Sequence, residues 1–316
     1  MFKKLCSAVL LATAACAGQA FPDRSVTVIV PFSAGTTTDV NARDFAQALS
    51  AQIKQPVTVE NRVGAEGTVG GQALLVAAPD GHTLLFTSSS LTVLDPLMKM
   101  TMPYDPVHDF APVCAVARTS NVMNITGSAP WKNVADVVAA AKAQPGKLTF
   151  AYASATTRLA GELFAQSAGI KLTGVPYRSS VTALTEVGGG QVDMMMIDHI
   201  SATPFYQGGK LRPVAVAGVQ RIKELPDVPS ASEAGVPGYN LLPWFGVYAS
   251  AKTPPAVLAQ VREAVGQALA SPASLASMDK RGLIPYPLCG EAFGKAQQDE
   301  IGVMQQVLDK AGIVRQ

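Results

Sequence analysis

The sequence predicts an α/β protein of two lobes joined by a hinge, with a cleft between them. Short β-branched runs alternate with helical stretches at a spacing that implies parallel strand pairing. The unit of strand, small polar turn and helix occurs once in each half, and two extended runs meet at Arg118-Thr119-Ser120, which suits a joint between lobes. The 316 residues are 48% hydrophobic and 15% charged, enough for sizeable cores and incompatible with a largely disordered chain.

In order, Ser25 to Pro31 reads as a strand ended by proline, Phe32 to Asp39 as a turn, and the stretch through Leu49 as a helix. Val57 to Glu60 is a second strand, followed by a turn punctuated by Gly64, Gly67 and Gly70 and a helix through Ala77; Thr83 to Thr87 is a third strand. Prolines from Met102 to Pro112 oppose regular structure before the strand Val113 to Ala117. Beyond the joint come the extended run Asn121 to Thr126, a helix Val134 to Ala143 and the strand Leu148 to Tyr152. The turn Ala153 to Thr157 leads to a helix from Arg158 to Ala168. Thr173 to Tyr177, Val192 to Ile197 and Leu211 to Ala217 are further strands, with a helix ending at Gly188; Met194-Met195-Met196 reads as buried strand. Tyr239 to Ala249 is the return strand, and the amphipathic helices Pro255 to Ala270 and Glu291 to Ala311 are expected to pack on the first lobe. The expected division is 1–20 as a leader, 21–118 with 245–316 as one lobe, and 119–244 as the other.

The leader reads as a secretory signal peptide: Lys3-Lys4, an apolar stretch from Leu5 to Ala17, and a cleavage site after Ala20. A lipid anchor on Cys16 is disfavoured because Thr13-Ala14-Ala15-Cys16 lacks the usual leucine. Cleavage takes Lys+Arg from 25 to 23, equal to the 23 Asp+Glu. A neutral exported chain has no electrostatic footprint for nucleic acid or anionic membranes, so any anion it binds must be held locally. Cys114 and Cys289 remain; they could pair in an oxidising compartment or stay as buried thiols.

The two turns have chemistry in common. A helix N-terminus exposes unpaired N–H groups and partial positive charge, an anion site by construction. Ser33, Thr36, Thr37, Thr38, Ser154, Thr156 and Thr157 add hydroxyls there, although the same residues also serve as ordinary helix caps. Asp39 would repel an anion beside it unless it meets a ligand hydroxyl or amine, or simply complements the helix dipole. Enzyme readings find little: no His-Glu-x-x-His, Cys-x-x-Cys or Gly-x-Ser-x-Gly pattern is present, and Ser154 with Asp198-His199 imitates a triad by residue type alone. No cofactor or metal is expected.

Eleven ordered blocks resemble one known family. They include Val30-Pro31-Phe32-Ser33-Ala34-Gly35 with Asp39, Val59-Glu60-Asn61-Arg62, Leu159-Ala160-Gly161-Glu162-Leu163, Val175-Pro176-Tyr177, Gly189-Gly190-Gln191-Val192 and Trp244-Phe245-Gly246. The chain is similar along nearly its whole mature length to the periplasmic receptors of tripartite tricarboxylate transporters, the Bug family. The resemblance implies a type II periplasmic binding fold that holds a small organic acid, a mono-, di- or tricarboxylate or an aromatic acid, and delivers it to membrane permease subunits as a monomer. Presentation of the bound acid to a membrane signalling protein is the alternative. It further implies ligand contacts from Phe32, Ala34, Gly35, Thr36, Thr37 and Asp39 in one lobe and Ala153, Ser154, Thr156 and Thr157 in the other, with Ser88, Tyr177 and Asp198 as additions. The chain departs from the family where Gly35 is followed by three threonines, where the second turn leads to Arg158 in place of histidine, and where His199 replaces the frequent asparagine. Arg158 could grip a second carboxylate or pair with Glu162 at helical spacing.

Overall fold

A computed structural model of the protein describes residues 21–99 and 101–313; the expected signal peptide lies outside the described residues. In chain order the strands are β1 (Val26–Val30), β2 (Val57–Asn61), β3 (Thr83–Ser88), β4 (Phe110–Arg118), β5 (Asn121–Thr126), β6 (Thr149–Tyr152), β7 (Thr173–Pro176), β8 (Met194–Asp198), β9 (Leu211–Val216), β10 (Trp244–Ser250) and β11 (Ile284–Pro285). The helices are α1 (Thr37–Ile53), α2 (Thr68–Val76), α3 (Asp95–Met98), α4 (Val134–Ala143), α5 (Ala155–Ser167), α6 (Ser180–Gly188), α7 (His199–Tyr206), α8 (Pro255–Leu269), α9 (Pro272–Lys280) and α10 (Glu291–Ala311).

Two sheets form, ordered β11-β4-β10-β3-β1-β2 and β7-β6-β8-β5-β9. As the alternation of strands and helices requires, β1 is parallel to β2 and β3, and β6 to β7 and β8. Both sheets are nevertheless mixed. β10 runs antiparallel to β3 and β4, and β5 antiparallel to β8 and β9. These are the strands that follow each passage of the chain from one sheet to the other, and each runs against the direction of the parallel βα units of its sheet. Of the flanked strands β5, β8 and β10 are buried end to end, Met194–Asp198 among them, as continuous apolar runs covered on both faces should be.

The proline-rich approach to the fourth strand does not delay it: β4 begins at Phe110 and includes Pro112. The register slips between Val247 and Tyr248, where Tyr248 faces Pro112, and such an irregularity is where a sheet tolerates a residue without an N–H donor. The return strand starts at Trp244, five residues later than Tyr239. Helix α5 begins at Ala155, so Thr156 and Thr157 occupy its first turn. Cys114 in β4 is joined to Cys289 by a disulfide, which resolves the two cysteine readings in favour of pairing. Helix α8 packs on α1 and β4, and α10 on β4 while also reaching α5.

The chain crosses between the sheets twice, through Thr119-Ser120 and through 217–243, and the crossings lie side by side. Thr119 N–H donates to Pro243 O at 3.0 Å, and Trp244 sits opposite Arg118 in the ladder. The indole of Trp244 is buried edge-on against Phe293, with its N–H donating to Glu300 at 2.5 Å.

Candidate functional site

The first turn is held by a network built around Asp39. Gly35 N–H donates to Asp39 Oδ2 at 3.0 Å; Arg43 approaches both carboxylate oxygens, at 3.1 and 2.9 Å; and Asn61 Nδ2 donates to Asp39 Oδ1 at 2.8 Å and to Phe32 O at 2.9 Å. Burial alone would raise the Asp39 carboxyl, but hydrogen bonds from Arg43, Gly35 and Asn61 hold it below the usual carboxylate range. Gly35 has φ +82°, a conformation that disfavours any side chain, so the turn that Asp39 ties down requires glycine at that position. Asp39 thus has a positioning role, and the charge that looked incompatible with an anion site is neutralised by Arg43 one turn further on.

The second turn satisfies itself through Thr157. Its hydroxyl accepts from Ala153 N–H at 3.0 Å and from Ser154 N–H at 3.1 Å, while Ser154 Oγ accepts from Thr157 N–H at 3.3 Å. This is a reciprocal cap of α5. Thr156 N–H donates to Ser90 Oγ, across the cleft, at 3.3 Å. Much of the amide capacity that the sequence assigns to an incoming anion is therefore spent on the turns themselves.

Both turns open on one cavity of about 710 Å³, its mouth included, within the range of small-molecule sites. Of the residues expected at the site, Phe32, Thr36, Thr37, Ser88, Ala153, Ser154, Thr156, Thr157 and Asp198 line it. Ala34, Gly35, Asp39, Arg158 and Tyr177 do not. Ala34 and Gly35 are exposed, Asp39 is buried beneath the turn, and Tyr177 packs against the second sheet's satellite core. Arg158 Nε donates to Glu162 Oε1 at 2.8 Å, facing a separate cavity beside Lys99 and Thr101, so of its two readings the helical ion pair is the one that forms.

Residues the sequence reading did not select also line the cavity, among them Glu66, Thr119, Asn121, Arg178 and Ser201. Thr119 was legible only as part of the joint. Arg178 directly follows the Val-Pro-Tyr block, at a third strand-to-helix turn capped by Ser179, which could have been recognised by the pattern used for the first two. Ser201 belongs to a fourth such turn: Asp198 caps α7 and accepts from Ser201 N–H at 2.9 Å. Asp198 Oδ1 also accepts the Thr37 hydroxyl, and Thr37 N–H donates to Ser201 Oγ at 3.2 Å, so the first turn of α1 and that of α7 are bridged across the cleft.

Three buried polar atoms on the cavity wall have no partner: Thr119 Oγ1, Asn121 Nδ2 and Thr156 Oγ1, on residues 1%, 2% and 7% exposed. Each such atom costs about 1–3 kcal/mol unless something accepts or donates there. All three can donate, and a carboxylate, which only accepts, is their chemical complement. Among the described residues no cluster of His, Cys, Asp and Glu could hold a metal ion, and no helix is long and apolar enough to cross a membrane.

Comparison with known proteins agrees with this chemistry. A profile of the tripartite tricarboxylate transporter family receptors matches residues 41–313. The R. palustris protein Rpa4515, solved with adipate, superposes with a TM-score of 0.89 at 31% identity, covering 94% of this chain and all of that one. The periplasmic binding protein BugD gives 0.87 at 27%, covering 94% and 100%. MatC from Rhodopseudomonas palustris, with bound malate, gives 0.84 at 29%, covering 91% and 100%.

Proposed function

Because the chain belongs to the tripartite tricarboxylate transporter receptor family, we propose that it is a non-enzymatic periplasmic receptor that captures a small organic carboxylate and hands it to a permease of that transporter class. The observation that carries the reading is that Thr119, Asn121 and Thr156, each with a buried polar atom that has no partner, line one cavity. Three neutral donors can hold a carboxylate without a fixed cation, which suits a mature chain with no net formal charge. That related proteins hold adipate and malate supports the same class of ligand.

In this reading residues 21–118 and 245–316 form one lobe and 119–244 the other, and the receptor works as a monomer. The lobes rotate about the paired crossings at Thr119-Ser120 and Pro243, and the bridge from Thr37 to Asp198 and Ser201 fastens the closed form. The permease then recognises a shape available only when the lobes meet. Residues 1–20 direct export and are removed.

A thermal-shift panel of mono-, di- and tricarboxylates and aromatic acids on the purified mature chain tests the assignment. An acid supplied at about a hundredfold above its Kd should add about 2.7 kcal/mol of stability. Folded protein, stripped of endogenous ligand, that is stabilised by no acid would overturn it.

A further inference from the structure

Arginines in this fold are spoken for, with one exception. Of the ten described, six pair with carboxylates, Arg212 and Arg262 donate to backbone carbonyls, and Arg118 lies 3.9 Å from the centroid of the Tyr286 ring. Arg178 alone has no ion pair, side-chain hydrogen bond or stacked ring among the described residues, and it lines the cavity between the lobes.

Its surroundings narrow its role. The other charged residues of the cavity wall are already engaged: Asp198 accepts from Thr37 and Ser201, and Glu66 lies 3.6 Å from Lys99 Nζ. Arg178 immediately precedes Ser179, the cap of α6. The start of α6 faces the opposite lobe closely, since a Cβ on Gly35 would stand 4.0 Å from Val181 Cγ2. The exposed guanidinium is thus at the rim of the cavity, whereas Thr119, Asn121 and Thr156 are buried in its wall. Neutral buried donors at one place and an uncommitted cation at another are complementary to a molecule with two separate anionic groups.

We propose that Arg178 is a specificity-determining residue that pairs with a second anionic group of the ligand, making the preferred ligand a dicarboxylate. This rests on the carboxylate-receptor reading above. The planar guanidinium can meet a carboxylate with two parallel N–H donors, which lysine cannot reproduce.

Matched acids of equal length separate the two ends. Calorimetric titration with succinate and butyrate, glutarate and pentanoate, and adipate and hexanoate measures what the second carboxylate contributes. The wild-type chain should bind its best dicarboxylate about tenfold or more tightly than the matched monocarboxylate. Arg178→Gln should remove that preference while changing monocarboxylate affinity less than about twofold, and Arg178→Lys should keep part of it. Arg158→Gln, outside the cavity, should leave both affinities in place. Added salt should weaken dicarboxylate binding more than monocarboxylate binding, because the rim pair is open to solvent. Dicarboxylate affinity unchanged in Arg178→Gln would overturn the inference and leave the receptor reading standing. So would an equal loss for both acids, which would place Arg178 on the first carboxylate. Failure of every acid to bind the wild-type chain would overturn both.

Discussion

Thr119 and Thr156 each bury a hydroxyl that the folded chain leaves without a partner, and this makes opposite demands on stability and binding. Thr119→Val or Thr156→Val keeps the shape and removes the orphaned oxygen. Each should raise the stability of the ligand-free protein by about 1 kcal/mol and weaken carboxylate binding by about tenfold, measured by denaturant unfolding and calorimetry on the same variants. The sequence could indicate which residue types gather at turns, but not which would be satisfied by their neighbours. Asp39 and Arg158 looked like ligand groups because their partners Arg43 and Glu162 stand four residues away, where sequence shows possible contact but not commitment. The turn that carries Arg178 fits the pattern of the first two, but nothing in a sequence announces that its cation has no partner.

Asp95 gives a second test at this scale. It is fully buried at the start of α3, 2.9 Å from Lys99 Nζ, and burial pushes its carboxyl up to about 7 against the pull of Lys99. A carboxyl raised in the fold keeps its proton where the unfolded chain has lost it, so the folded state loses stability as pH climbs from about 4 to about 7. Asp95→Asn cannot lose that proton. The variant should gain on the wild type by about 2–4 kcal/mol between pH 4 and 8, with the two converging at acid pH. Paired melting curves across that range would reveal the divergence; parallel curves would contradict it.

At the level of elements, strand-turn-helix units were the legible part, because their hydrophobic periodicity and turn chemistry are local. Helix α5 shows how closely such a unit is fitted. A Cβ on Gly161 would stand 2.3 Å from the buried ring of Phe150 in β6, the strand that leads into the second turn. Gly161→Ala should therefore cost about 1–3 kcal/mol in unfolding experiments. Gly302 in α10 meets nothing within 4 Å, and Gly302→Ala should stabilise by about 0.5–1 kcal/mol, the reverse sign for the same substitution. Helices α3, α7 and α9 went unread because each is short and carries a proline within its first two turns, which reads as a break. The antiparallel entry of β5 and β10 was likewise invisible, since direction is set by where the chain comes from and not by its residues.

The whole molecule depends on how the two sheets are tied. The disulfide closes a separation of 175 residues, yet both its cysteines belong to the first sheet's side and neither lines the cavity. Replacing both with serine should lower stability by about 2–5 kcal/mol in chemical denaturation while leaving ligand affinity within about twofold. Two lobes were foreseeable from the repeated units and the joint at Arg118-Thr119-Ser120, and the second crossing from the return strand, but where that strand begins was not, because 217–243 has no regular element to mark the approach to Trp244.

The paired crossings also impose a lever. Thr119 is both a link between the sheets and part of the cavity wall, so a carboxylate held there sits almost on the axis, where rotation of the lobes displaces atoms least. In the proposed closure Arg178, out at the rim, would be displaced more than Thr119. A ligand anchored at the axis and gripped at the rim converts its own length into an angle, which would let the protein gauge chain length as well as charge.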